Sequence, residues 1–469
     1  MQVISKGTSF AFVIVIVRWL TPEELGVFAI VSSLTLLAAD LRFFGTGNFL
    51  IKEQEVTEDK KRSVLGVSIV ISYLLGLTLF FGASSLSNYF EYPDMTLLFQ
   101  LMSLSFFVAP FVVVPHSLLM KEYNFKSLLV INCVSQIIAV LITIYFITLG
   151  FSYFSLAITM NVTVIVQLIL TYFLASNHLV LRPSFKQINS ILNYGGFNSL
   201  AIIFARLSYV APDLIIGKMG TAREVAIYSR GLGFMDFLSQ LLTVGFRPIA
   251  LPYLSESIHN KADVNLAYLR ATNLLGSICW PIIAVAALSA YPIIVFLFGD
   301  QWLESIPIVA YLGVWMVFKM VHILAPALLL ASNNQKLLFY QAASVFVITA
   351  LAIAGSFKYG LIAVAQAMAV VGIIEFILIS YQLKQRLGLN ILALLRSLIP
   401  NITLTLTCLL ATYFLSLTIN FTKQDPIFSL SLIALVNVPL WIILTKVLKL
   451  EIYHELKRAM GDLRQSKFD

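Results

Sequence analysis

Nine charged side chains stand inside long apolar runs of this sequence. The bases are Arg42, Arg206, Arg230, Arg247 and Lys319; the acids are Asp40, Asp213, Asp236 and Glu375. His116 and His322 add two titratable rings. A charge at the centre of a bilayer costs about 2.5–3.5 kcal/mol on insertion scales, so such residues face a polar cavity or a partner. Their types suit holding an anion and responding to a cation; no grouping among them makes a nucleophile with its base. Helical spacing sorts them by face. Arg206 and Asp213 are seven residues apart and share one. Asp236, Gln240 and Arg247 make a second stripe, and Lys319, His322 and Pro326 a third. Asp213 is expected to neutralise Arg206 or to cap a helix break after Pro212. Arg206 and Lys319 lie near mid-span, where reaching an interface is hardest. Arg42 and Arg247 lie toward one end of their spans and Arg230 toward the other, where snorkelling to headgroups competes with a functional role. We take Arg206, Lys319, Arg230, Arg247 and Arg42 as candidate substrate-binding residues. Asp213, Asp40 and Glu375 are the candidate coupling acids. No catalytic residue is assigned.

The elements that carry these charges are long and apolar. Of 469 residues, 59% are hydrophobic and 12% charged, and mean hydropathy is +0.91. Soluble domains carry about 25% charged residues. Runs of about 20 apolar residues cross the hydrocarbon core as helices, and most of the runs here lack the polar face of a soluble helix. We place fourteen spans near 3–20, 25–48, 64–86, 95–119, 127–149, 151–175, 190–217, 224–252, 270–298, 306–331, 337–357, 360–383, 395–418 and 427–448. The sequence predicts an all-α integral membrane protein. The first span is short at its start, so either the chain begins upstream or that helix is abbreviated. No cleavable signal stands ahead of it.

Charge fixes the expected orientation. The net charge is +8, and the basic residues lie in loops between spans, which speaks for membrane orientation and against nucleic acid. With this scheme twenty loop Lys and Arg fall on one side, Lys60, Lys61, Arg62, Lys384 and Arg386 among them. Only Arg18, Lys218, Arg223, Lys358 and Lys423 fall on the other. The positive-inside rule puts the rich side and both termini in the cytoplasm. Cys133, Cys279 and Cys408 all fall in apolar segments without metal spacing and read as packing residues. No Gly-x-x-x-x-Gly-Lys-(Ser/Thr) occurs, so nucleotide hydrolysis is not expected. Neither is a metal or any other cofactor.

A weak repeat runs through the chain. Leu20-Thr-Pro-Glu-Glu-Leu-Gly-Val-Phe28 opens the second span and Gly220-Thr-Ala-Arg-Glu-Val-Ala-Ile-Tyr228 the eighth, 200 residues later. Pro115-His-Ser-Leu-Leu119 and Pro326-Ala-Leu-Leu-Leu330 echo each other in spans four and ten. A shift of six spans preserves direction across the membrane, so the halves read as parallel repeats with a site expected between them. The lobes are expected at 1–184 (spans one to six) and 185–385 (spans seven to twelve). Residues 386–469 would hold spans thirteen and fourteen and a basic cytoplasmic tail. The repeat favours a transporter over a channel.

Arg18-Trp-Leu-Thr-Pro-Glu-Glu-Leu-Gly26 and Asp40-Leu-Arg-Phe-Phe-Gly45 resemble the oligosaccharide flippases of the Wzx type. These belong to the superfamily that also holds MATE-type multidrug exporters and lipid II flippases. Asp213-Leu-Ile-Ile-Gly217, Tyr228 and Phe246 to Pro252 are similar to further positions of that family, over about residues 1–385. Position 42 is Arg where the family commonly has Gly. The resemblance implies two pseudo-symmetric six-helix lobes facing a cavity, two more helices, and an undecaprenyl-pyrophosphate-linked oligosaccharide as cargo. It implies residence in a bacterial inner membrane, with membrane lipids and the polysaccharide polymerase and export machinery as partners. A pyrophosphate calls for paired cationic donors, and the planar fork of Arg206 beside Lys319 suits it. Two alternatives stand against this reading. A MATE-like multidrug or cation antiporter would need an acidic cavity, whereas these intramembrane charges are slightly basic. A membrane polysaccharide polymerase or ligase would carry a large periplasmic loop with Arg and His, and every periplasmic loop here is short.

Overall fold

The computed structural model describes residues 2–42, 47–53, 55–260, 263–453, 455 and 457–458. Within lipid a backbone must satisfy its own hydrogen bonds. Among the described residues the chain does so with helices alone. They are α1 (Gln2–Trp19), α2 (Pro22–Arg42), α3 (Gly47–Lys52), α4 (Glu58–Phe90), α5 (Met95–Ser103), α6 (Ser105–Val108) and α7 (Pro110–Lys121). Then come α8 (Phe125–Thr148), α9 (Phe154–Leu174), α10 (Ile188–Met219), α11 (Ala222–Thr243), α12 (Arg247–His259), α13 (Val264–Leu288) and α14 (Ala290–Phe298). The last are α15 (Ile306–Val321), α16 (Ala325–Ala331), α17 (Gln335–Ser356), α18 (Leu361–Leu387), α19 (Ile391–Thr418) and α20 (Pro426–Val447).

Apart from residues 43–46 of the second span, which lie outside the described residues, every expected span falls on one helix or on consecutive helices. Eleven helical segments among the described residues are long and apolar enough to cross a membrane. Met95–Val108 and Pro110–Lys121, bent by 52°, make a twelfth if they are one span. Pro110 sits at that bend, where it cannot donate to the preceding turn. The count of fourteen is not reached. Outside the set are α1, of whose side chains only some are described, and α11, where Arg223, Glu224, Arg230, Asp236 and Gln240 dilute the apolar residues. Large apolar side chains point outward along the helices, such as Phe81, Leu351 and Leu435. A lipid environment accounts for that surface; water would not.

Local chemistry sets the helix ends. Thr21 and Glu24 form a capping box at α2: the Glu24 carboxylate accepts from Thr21 N (2.8 Å) and Thr21 Oγ1 (3.0 Å), and Thr21 Oγ1 accepts from Glu24 N (3.3 Å). Thr221 and Glu224 repeat it at α11 with the same three distances. Each box satisfies amides that the first turn leaves free. Asp263, Asn390 and Asp425 cap α13, α19 and α20. Gly388 ends α18 in the left-handed region, φ +68°, as a C-terminal glycine does.

The chain forms two compact units. One comprises Met1–Ser229 with Ala342–Ala350, the other Arg230–Gln341 with Leu351–Asp469. In the first, α2 and α10 touch so closely that a Cβ on Gly217 would lie 2.7 Å from Ile30 Cδ1. A Cβ on Gly26 would fall 1.7 Å from the Ala222 carbonyl oxygen at the start of α11. In the second, Gly313 of α15 meets Ala287 of α13, and Gly372 of α18 meets the Trp315 backbone of α15, where a Cβ would lie 3.0 Å from Trp315 Cα. Small residues at helix crossings are how membrane helices gain close packing without a hydrophobic drive between them. Cys279 and Cys408 are buried and Cys133 half-buried, all free thiols.

Candidate functional site

In the first unit, α2 and α10 bring Arg206 to Asp40. Arg206 Nε lies 2.5 Å from Asp40 Oδ2, and its guanidinium carbon lies 5.3 Å from the Tyr209 ring centre. Both partners stay partly accessible, at 27% and 35%. Asp213 is not the partner, although it shares a helix with Arg206. Its carboxylate instead accepts hydroxyl hydrogen bonds from Ser33 of α2 (2.5 Å) and Ser229 of α11. It caps no break either, because α10 runs unbroken through Pro212 to Met219. The ion pair forms across helices because a neighbouring span offers Asp40 at the depth of Arg206. Arg42, two residues beyond Asp40, places its guanidinium 5.8 Å from the Phe106 ring centre.

The second unit repeats the logic with other residues. Lys319 of α15 sits with Nζ 4.3 Å from the Trp315 ring centre. Its charge acts directly on Glu375 of α18, which is 5% exposed. The Gly372 contact with Trp315 holds α15 and α18 together one turn away. His322 does not continue the Lys319 face, because α15 stops at Val321 and α16 starts at Ala325. It is buried, 2.9 Å from Tyr268 Oη through Nδ1 and 2.7 Å from Ser380 Oγ through Nε2. Its ring stacks on Phe376, centres 5.4 Å apart. Arg230 lies 5.0 and 4.8 Å from the ring centres of Phe298 and Trp302, and its Nε has no hydrogen-bond partner among the described residues. Asp236 accepts from Gln240 Nε2 at 2.5 Å. The stripe expected to reach Arg247 is interrupted, since α11 ends at Thr243 and Arg247 opens α12. The Arg247 side chain lies outside the described residues.

Two cavities accompany these groups. In the second unit a cavity of about 510 Å³ runs between α13, α15, α18 and α19, lined by Trp280, Val317, Phe318, Phe376, Leu398 and Ile402 among others. It is apolar almost throughout; Phe318, next to Lys319 in sequence, lines it, and Lys319 does not. In the first unit a cavity of about 460 Å³ lies at the starts of α2 and α11, lined by Glu23, Glu24, Tyr92, Tyr153, Thr221 and Arg223. There Arg223 Nη1 donates to Glu23 Oε1 at 2.9 Å, and Tyr92 Oη accepts from Ala222 N at 2.8 Å. Tyr153 Oη donates to Asp94 Oδ2 at 3.4 Å.

Sequence reasoning missed three of these arrangements. It missed Asp40 as the partner of Arg206, the burial of His322 between Tyr268 and Ser380, and the Glu23–Arg223 pair. The last left a signal: Glu23 and Arg223 occupy equivalent places in the 200-residue repeat, with opposite charge.

Residues 15–307 match the family described as polysaccharide biosynthesis protein. The teichuronic acid biosynthesis protein TuaB of Bacillus subtilis (strain 168) is 20% identical over 385 residues, covering 79% of this chain and 77% of that protein. The succinoglycan biosynthesis transport protein ExoT of Rhizobium meliloti (strain 1021) is 23% identical over 309 residues, covering 66% of this chain and 62% of its own length. Among solved structures, the lipid II flippase MurJ in an inward closed conformation superposes with a TM-score of 0.76. Its identity is 16%, with 97% of this chain and 98% of that chain covered. An inward-facing multidrug resistance transporter of the MATE family and MOP superfamily gives 0.62 at 16% identity, covering 80% and 96%. These likenesses establish the fold as that of a multi-pass membrane protein of this kind.

Proposed function

Because this chain belongs to the polysaccharide biosynthesis protein family, we propose that it is a flippase for cell-surface polysaccharide assembly. Its cargo is an undecaprenyl-pyrophosphate-linked oligosaccharide, carried from the cytoplasmic to the periplasmic leaflet by alternating access. The names of TuaB and ExoT, and the flippase fold, support this reading. The chain resides in a bacterial inner membrane with both termini in the cytoplasm, as its loop charge implies. Its lobes follow the sequence repeat, near 1–184 and 185–385, with residues 386–469 outside that pair.

One observation carries the mechanism: Arg206 and Lys319 each stand beside a single carboxylate, Asp40 and Glu375. Each cation is thereby tolerable at membrane depth without cargo. A pyrophosphate brings more negative charge than one carboxylate and offers bidentate geometry to Arg. It displaces Asp40 from Arg206 and draws Lys319 away from Glu375. The freed carboxylates then take up a proton or another cation, which couples cargo movement to a gradient. Asp213, held by the Ser33 and Ser229 hydroxyls and not by a cation, is the third coupling acid. Arg42, Arg230 and Arg247 extend the cationic path. The apolar cavity that Phe318 lines accepts part of the isoprenoid chain, whose burial stabilises at about 25 cal/mol per Å². Polymerase and export proteins receive the cargo afterwards.

The test is surface polysaccharide in a strain lacking the native gene, complemented by each variant at equal protein level. Arg206→Ala should abolish export while the protein still inserts, and Arg206→Lys should restore only part. Full export by an Arg206→Ala, Lys319→Ala double variant would remove these residues from the mechanism.

A further inference from the structure

The cavity at the starts of α2 and α11 has no part in the mechanism above. It lies within the first unit and measures about 460 Å³, inside the range of about 300–1,000 Å³ usual for small-molecule sites. Its walls combine two kinds of surface. Val27, Ala222 and the rings of Tyr92 and Tyr153 give carbon; Glu23, Glu24 and Arg223 carry charge. Both tyrosines and Glu24 are half-buried and Glu23 is exposed, so a solute can reach them. Hydrogen bonds hold these side chains in place. Glu24 accepts from Thr21 and from Ser152 Oγ, and Glu23 accepts from Arg223. Tyr92 Oη accepts from Ala222 N and keeps its own hydrogen to donate. Gly26 keeps α2 against the start of α11, since a Cβ there would meet the Ala222 carbonyl oxygen. Side chains already held lose little freedom on binding, which preserves affinity.

We propose that this cavity binds one pyranose ring of the transported oligosaccharide, an inference that rests on the flippase reading. A pyranose has C–H surface that packs on an aromatic ring and a rim of hydroxyls that both donate and accept. Tyr92 and Tyr153 suit the first, each with a polar tip on an apolar ring. Glu23, Glu24 and Arg223 suit the second. A carboxylate accepts about four hydrogen bonds, more than either glutamate receives among the described residues. A guanidinium donates, and bonds to charged groups are the stronger kind. A metal ion would be the competing occupant beside carboxylates, but among the described residues no group of His, Cys, Asp and Glu could hold one. Charge narrows the sugar. Two carboxylates against one guanidinium line the cavity, which favours an uncharged pyranose over a uronic acid. Length places that ring within the glycan. Arg206 and Met219 lie on α10, separated by roughly 20 Å at about 1.5 Å per residue. A pyrophosphate held at Arg206 therefore leaves this cavity to a sugar several rings along, not to the first. On the orientation proposed above the cavity lies at the periplasmic end, where the glycan leaves.

The test uses the purified full chain in a detergent without a sugar headgroup. Saturation-transfer NMR is recorded with the methyl glycosides of glucose, galactose, N-acetylglucosamine and glucuronic acid. Transfer should reach at least one neutral glycoside, and the glucuronide should bind more weakly. Tyr153→Ala should weaken binding of the neutral glycoside by roughly two- to tenfold, the worth of one aromatic contact. Tyr359→Ala, which removes an exposed tyrosine from another loop, should change nothing. Should Tyr153→Ala not fold, Glu23→Gln carries the test, since an exposed ion pair contributes little to folding. No transfer to any neutral glycoside would overturn the site, and so would undiminished binding in both Tyr153→Ala and Glu23→Gln. Proteoliposomes separate these outcomes from the transport reading. A chain that moves the lipid-linked oligosaccharide but binds no glycoside loses the site and keeps the flippase assignment. A chain that binds a glycoside through Tyr153 yet moves no cargo keeps the sugar site and loses the assignment.

Discussion

At the scale of single residues, the Arg206–Asp40 ion pair and the Lys319 charge acting on Glu375 are the sharpest features. Arg206 and Asp40 are both partly accessible, so separating them costs less than the roughly 3–5 kcal/mol of a fully buried pair. That moderate strength suits an exchangeable counterion. We expect Asp40→Asn to lower the amount of folded protein, since Arg206 is left without its carboxylate. Adding Arg206→Gln to Asp40→Asn should recover folded protein but not export. The quantities to compare are membrane protein level and surface polysaccharide in the same cells. Recovery of export by the double variant would show that the pair is structural only. The candidate charges themselves were legible in the sequence, because an ionisable residue in an apolar run stands out. Their partners were not. Spacing along one helix suggested Asp213 for Arg206, but a neighbouring helix at matching depth supplied Asp40, and no single-helix pattern reports depth between helices.

At the scale of elements, helix starts and crossings matter most. The Thr21–Glu24 and Thr221–Glu224 boxes have the same bonds, so Thr21→Ala and Thr221→Ala should each lower stability by about 0.5–2 kcal/mol. Parallel thermal melts would check that equivalence. Gly372→Leu should destabilise by about 1–3 kcal/mol, because its Cβ would press on the Trp315 backbone and force α15 from α18. Gly82→Ala, with nothing within 4 Å of its Cβ, is the matched control and should be neutral or slightly stabilising. The capping boxes were readable as Thr-x-x-Glu at a 200-residue interval. The interruptions at 244–246 and 322–324 were not, and they broke two of the three expected charged faces. Prolines mark membrane helices too commonly to say which one ends a helix.

At the scale of the whole molecule, the membrane character followed from long apolar runs, and the helices fall where those runs are. The number of crossings did not follow as directly. Polar and charged residues in α11 leave it less apolar than the helices long and apolar enough to cross a membrane. Topology is testable by cysteine labelling from outside the cell. Positions in 178–187 and 384–396 should be protected and those near Lys358 and Lys423 labelled; labelling within 52–62 would invert the scheme.

The central claim is that the chain moves a lipid-linked oligosaccharide. The direct measurement is transfer across proteoliposomes that hold the purified protein and a fluorescent undecaprenyl-pyrophosphate oligosaccharide, read as the fraction reaching the opposite leaflet. The wild-type chain should equilibrate the cargo between leaflets, and the Arg206→Ala, Lys319→Ala variant should stay at the level of protein-free vesicles. No transfer by the wild-type chain, under an imposed proton or sodium gradient of either sense, would contradict it.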